Sequence, residues 1–119
     1  MANFPTGIQA RENAQNNNLI KQEIAILEIA VLDAITANTF SATVNAASTV
    51  SINVTTITGS PMTNNNATGQ AFYTVWQGTT TDTVKSEQMT EVITHFTNLK
   101  YTISRKSISG TVFYWYITW

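Results

Sequence analysis

Phe113-Tyr114-Trp115-Tyr116-Ile117-Thr118-Trp119 decides how this chain folds. Along an extended strand, successive side chains point to opposite faces. Phe113, Trp115, Ile117 and Trp119 therefore share one face, and Tyr114 and Tyr116 share the other. Both faces are aromatic, and one helix covers only one of them. The pattern implies a strand sandwiched within its own fold or within an assembly. The strand is predicted over 111–119, with a turn at 107–110 and a partner strand on which Tyr101, Ile103 and Arg105 alternate.

Upstream of the hairpin, Met89, Val92, Ile93, Phe96 and Leu99 recur at helical spacing, while Glu87, Glu91, Thr94 and Asn98 point away. The spacing predicts a helix over 86–99, with Ser86 as N-cap and Glu87 in the first turn, where the helix dipole favours an acid. This helix is the nearest cover for the hairpin, and Trp115 is expected against Phe96. Residues 72–76 (Phe-Tyr-Thr-Val-Trp) read as a further strand, closed by Gln77-Gly78. The fold class is α+β. Residues 72–119 form a compact strand-helix-β-hairpin domain with an antiparallel sheet.

Residues 38–71 form a Thr/Asn-rich β region with a long loop. Val50, Ile52 and Val54 alternate with Ser51, Asn53 and Thr55 as one half-buried strand, and a shorter strand is expected at 40–44. Gly59-Ser60-Pro61 and Asn64-Asn65-Asn66-Ala67-Thr68-Gly69 mark the loop. Residues 19–37 are predicted as an N-terminal apolar helix with one stripe through Ile20, Ile24, Leu27, Val31 and Ala34. Leu19, Ile26, Ile29, Leu32 and Ile35 fill much of the remaining circumference. The helix is therefore expected to pack against other copies through Ile20, Ile24, Leu27 and Val31, with Tyr114 and Tyr116 as a second contact. Residues 1–18, polar and without apolar periodicity, are expected to form an arm.

The chain of 119 residues is 43% hydrophobic and only 11% charged. An ordinary soluble domain carries roughly 25% charged residues. Ser, Thr, Asn and Gln cost less to hide in a contact than charges do, so the balance favours a surface shared with other copies. A formal net charge of -1 leaves no electrostatic footprint for nucleic acid. Lys21, Glu23, Glu28 and Asp33 interrupt the longest apolar segment, which excludes a membrane span. No export signal is expected at the N-terminus, and synthesis in the cytoplasm follows.

The blocks FYTVWQG (72–78), QMTEVI (88–93), HFTNLKYTISRK (95–106) and FYWYITW (113–119), with EIAILEIAVLDAI (23–35), resemble small virion structural proteins of cyanophages and related marine phages. That family usually has Gly where this chain has Lys100, just after the helix. A Gly there supplies a left-handed cap, and with Lys in its place Asn98 is the expected cap. The resemblance implies a virion component and brings no catalytic residues.

No catalytic, cofactor or metal site is expected. His95 is the single histidine, and Glu87, Glu91 and His95 at four-residue spacing read as a solvated helix face before they read as a metal site. Arg105 and Lys106 beside Tyr114 and Tyr116 give a thin basis for a single-strand nucleic-acid platform. The expected function is that of a non-enzymatic capsid decoration or cement subunit in a phage virion. It would self-associate and bind other virion proteins such as the major capsid protein. The alternatives are a neck, tail or fibre subunit, or a receptor- or carbohydrate-binding module using the Thr/Asn-rich loop.

Overall fold

The computed structural model describes residues 7–64, 72–109 and 112–119. The chain is α+β. It contains helices and two antiparallel sheets, in the order α1 (Gly7–Thr36), β1 (Ser41–Val44), β2 (Thr49–Ile52), β3 (Thr55–Thr58), α2 (Tyr73–Gln77), α3 (Thr83–Asn98), β4 (Thr102–Ser109) and β5 (Val112–Thr118). Residues 1–6 of the expected arm, 65–71 of the expected loop, and Gly110 and Thr111 of the expected turn lie outside the described residues.

α1 starts ahead of the apolar stripe. Gln, Ala, Arg and Glu before Asn18 are good helix formers, and propensity does not require an apolar face. From Asn18 onward one side of the helix is buried: Ile20, Glu23, Ile26, Leu27 and Val31. Ile24, Ile29, Ala30 and Ala34 pack partly against the same core.

All three helices among the described residues end in the same way. A residue in the left-handed region follows the last turn, and two backbone N–H groups reach back to carbonyls of that turn, as in a Schellman cap. In α1 the left-handed residue is Asn38 (φ 62°), with Asn38 N–H on Ile35 O and Thr39 N–H on Ala34 O. In α2 it is Gly78 (φ 75°), with its N–H on Val75 O and Thr79 N–H on Thr74 O. In α3 it is Lys100 (φ 73°), with its N–H on Thr97 O and Tyr101 N–H on Phe96 O. Lys100 therefore takes the cap position itself, and Asn98 stays helical, contrary to the expectation from sequence. The Phe96 and Tyr101 rings meet edge-on at 6.0 Å and close the motif with an apolar contact.

Three other expectations are corrected. Residues 72–76 are not a strand. Tyr73–Gln77 is a short helix that buries Phe72 and Val75, three residues apart, with Trp76 half-buried. A short apolar run does not distinguish a strand from a buried helical turn. The single strand through Val50, Ile52 and Val54 is a hairpin instead. β2 turns back into β3 at Asn53 (φ 49°) and Val54 (φ 62°), with Ile52 opposite Thr55. Two consecutive left-handed residues are the two-residue hairpin geometry, in which Asn-Gly is the usual pair, and Val in the second place hides the signal. α3 begins at Thr83 rather than Ser86. Asp82 is the N-cap, its carboxylate accepting the Lys85 N–H at 3.1 Å. The apolar periodicity starts only at Met89, a turn and a half later.

β5 is the centre of a three-stranded antiparallel sheet in the order β1-β5-β4. Its residues alternate between half-buried and buried from Val112 to Thr118. Phe113, Trp115 and Ile117 lie in the core with Ala42 and Val44 of β1, while Phe96, Met89 and Val92 enter it from α3. Trp76 of α2 stacks on Phe113 at 5.2 Å and meets Trp115 at a tilt at 5.2 Å. The aromatic face of the last strand thus sits inside the domain. Tyr114 and Tyr116 lie half-buried on the opposite face, in register with Lys106, Ser104 and Thr43. No helix among the described residues is long and apolar enough to cross a membrane.

Candidate functional site

One end of the molecule collects five exposed apolar side chains from four separate places in the chain. Leu32 on α1 and Leu99 after α3 border a cleft of about 130 Å³ whose walls include Val31, Phe96 and Tyr101. Ile35, three residues beyond Leu32, continues this face of α1. Tyr101 meets Trp119 edge-on at 5.8 Å, and Trp119 N–H bonds Phe40 O at 3.2 Å, which brings Phe40 to the same end. The exposures are Leu32 60%, Ile35 44%, Phe40 75%, Leu99 52% and Trp119 37%. Burying such side chains fully is worth about 1.5–3 kcal/mol each, so leaving five open together is a sizeable unspent driving force. Glu28 lines the cleft, and its Oε2 lies 3.3 Å from His95 Nε2. The pair is partly exposed, and such pairs contribute little.

The residues expected to form the interface fall in two groups. Ile20, Leu27 and Val31 are buried inside the chain's own fold, and Ile24 packs partly against the same core. That stripe is therefore not open to a partner. The core takes the Ile20–Val31 side of α1, and the side left open carries Leu32 and Ile35. Tyr114 and Tyr116 do lie on an open sheet face, where Lys106 Nζ sits 4.9 Å from the centre of the Tyr116 ring. Arg105 points the other way, with Nη1 3.7 Å from Met89 Sδ. The two cations are on opposite faces and do not share one stacking platform. Among the described residues no three His, Cys, Asp or Glu side chains converge on a metal-sized space. His95 is turned to Glu28 of another helix rather than along its own helix to Glu91.

A second feature was hidden from sequence reasoning. Glu23, read from sequence only as a charge interrupting α1, is 0% exposed. Its Oε1 accepts the Trp115 indole N–H at 2.8 Å, and its Oε2 accepts the Met62 backbone N–H at 3.1 Å. The Ser60 hydroxyl is a third partner. Burial pushes the Glu23 carboxyl above its ordinary value, and the bonds from Ser60, Met62 and Trp115 oppose that shift. The signal was present: Glu23 lies three residues after Ile20 and four before Leu27, within the buried stripe. An acid at a core register position is expected to have buried partners.

No family model, no curated protein and no solved structure matches this chain.

Proposed function

We propose that this chain is a non-enzymatic structural subunit of a larger particle, a phage virion decoration protein that reinforces a lattice through protein–protein contacts. The observation that carries this reading is the apolar end formed by Leu32, Ile35, Phe40, Leu99 and Trp119. Contiguous apolar patches on a folded surface mark sites of association. A composition only 11% charged fits the same role, because little surface is reserved for water alone.

The occupant of the apolar end is a second copy of the chain. Glu28 lines the cleft on α1, and exposed Lys100 directly follows Leu99, so a two-fold pairing through this end can match the acid of one copy with the base of the other. The open face of Tyr114 and Tyr116 is left for the lattice, in the expected role of the major capsid protein. Tyrosine, large and amphipathic, is enriched at such contacts. The likeness of the sequence blocks to cyanophage virion proteins supports the particle. The carbohydrate-binding alternative rests on the Thr/Asn-rich loop, and no contact among the described residues favours it.

Sedimentation of the full chain beside Leu99→Asp and Phe40→Asp tests the pairing. The parent is expected to associate at micromolar concentration and both variants to run as folded monomers. A parent that stays monomeric up to millimolar concentration refutes the apolar end as an interface. Labelling of intact particles by antibody to the chain tests the virion.

A further inference from the structure

We propose that Glu23 is a proton-operated clasp joining α1, the 59–64 turn and β5, closed when its carboxyl is uncharged and loosened when it ionises. The clasp is built from three separate elements. Trp115 is 92 residues away from Glu23 in sequence and Met62 is 39 away, yet each donates to one carboxyl oxygen. Glu23, Ser60, Met62, Thr63 and Trp115 are all fully buried. The far side of the turn is tied to α2, whose Trp76 indole N–H reaches Met62 O at 3.5 Å.

No cation neutralises this carboxyl among the described residues. On α1, Lys21 and Glu28 are exposed. On β4, Arg105 is turned to Met89. On α3, Lys85 lies over the Phe72 ring at 5.5 Å. The 59–64 turn carries no ionisable side chain, and the tyrosines of β5 are on the opposite face of the sheet. A buried carboxylate without a cation is costly, and such groups neutralise by holding a proton.

The turn supplies the acceptor that the uncharged form needs. Ser60 Oγ lies 2.8 Å from Thr63 Oγ1, and either can donate. Thr63 Oγ1 in turn reaches Ser60 O at 3.2 Å. With Glu23 protonated, its O–H donates to Ser60 Oγ, Ser60 donates to Thr63 Oγ1, and Thr63 donates to the Ser60 carbonyl. Every hydroxyl then has an acceptor, and the turn is closed on itself. When Glu23 loses its proton, the Ser60 hydroxyl rotates to the carboxylate. Thr63 then donates either to Ser60 Oγ or to the Ser60 carbonyl, which keeps the Asn64 N–H at 2.8 Å in both states. Ionisation thus removes the Ser60-to-Thr63 bond from the turn and leaves a fully buried carboxylate, hydrogen-bonded but faced by no cation among the described residues.

The sign follows from the raised carboxyl. The clasp's contribution is complete below the ordinary carboxylate value, about 4.3, and fades as pH rises through the higher value in the folded chain. The protein is therefore tightest in mild acid. The test follows the Glu23 carboxyl carbon and the Trp115 indole N–H by NMR in the full chain while pH is raised, with urea unfolding at each pH. The two resonances are expected to titrate together with a midpoint above the ordinary carboxylate value, and the urea midpoint should fall across the same range. Glu23→Gln cannot ionise and should remove that fall; its amide nitrogen donates to Ser60 but cannot accept the N–H that Oε2 or Oε1 accepts, so a lower urea midpoint at every pH is expected beside the lost pH dependence. A Glu23 midpoint at or below the ordinary value overturns the proposal, and this reading needs no variant to fold. An unchanged fall in Glu23→Gln also overturns it.

Discussion

Val54 offers the sharpest test of the local physics. It is the second residue of the β2–β3 turn, at φ 62°, and its side chain is fully exposed at 105% of its reference area. An L-residue in the left-handed region costs about 1–2 kcal/mol, and a β-branched one sits at the upper end of that range. Gly in the same place is unstrained, and Asn-Gly is the preferred pair for this turn. The glycine chain loses about 0.5–1 kcal/mol through the greater freedom of its unfolded state. No burial is lost, because Val54 contributes none. Val54→Gly should therefore stabilise the fold by about 1 kcal/mol. With an unfolding entropy of about 2.1 cal/mol/K per residue, that raises the melting temperature by about 4 °C. Thermal unfolding followed by circular dichroism reads the shift, and urea unfolding should show a higher midpoint with an unchanged slope. Val54→Ala should give much less, since alanine keeps the Cβ that clashes in this conformation. An unchanged or lower melting temperature for Val54→Gly would refute the reasoning and place Val54 in a contact within the folded chain.

Lys100→Gly relieves the same kind of strain at the end of α3, where Lys100 (φ 73°) is exposed. A gain of about 0.5–1 kcal/mol is expected in urea unfolding, smaller than at Val54 because Lys is not β-branched. Trp115→Ala empties the centre of the core and strips Glu23 Oε1 of its donor. A loss of about 3–5 kcal/mol, out of a total of about 5–15, should leave the chain largely unfolded by calorimetry. Tyr116→Ala removes a half-buried ring and its contact with Lys106, worth about 0.5–1 kcal/mol, and should leave a cooperative transition close to that of the parent. A severe Tyr116→Ala beside a mild Trp115→Ala would reverse the two faces of β5.

The C-terminal hairpin was the most legible part of the sequence. Its period-two pattern placed Phe113, Trp115 and Ile117 in the core, and the helical stripe of Met89, Val92 and Phe96 supplied the cover, while Trp119 and Leu99, expected on the same two faces, are exposed at their ends. Both signals are strong because each element buries one face more deeply than the other. The β2–β3 hairpin was missed because Val54 occupies a position where only its backbone angle, and not its residue type, marks a turn. α2 was misread because one helical turn is too short to show a period. The apolar end could not be read at all. From sequence, Trp119 and Leu99 read as core positions and Leu32 and Ile35 as part of an all-round apolar helix; that they stay exposed, and stand together with Phe40, depends on the tertiary fold. Glu23 was visible on its stripe, but its donors come from residues 39 and 92 positions away.

The place of β5 in the sheet also governs how the chain acquires its structure. β5 bonds to both β1 and β4, which do not bond to each other, and it follows both in the sequence. Until residues 112–118 are available, β1 has no sheet neighbour, and Glu23 has no indole to hold it. Local helix and the β2–β3 hairpin form within microseconds. The sheet waits on the closure of a loop that spans most of the chain, and distant pairings of this kind slow folding. During synthesis the half-made molecule presents an unpaired strand and an uncovered apolar helix side for as long as the ribosome takes to reach β5, several seconds at about 5–20 residues per second. That interval, rather than the finished fold, is where this chain is most exposed to misassembly with its own copies.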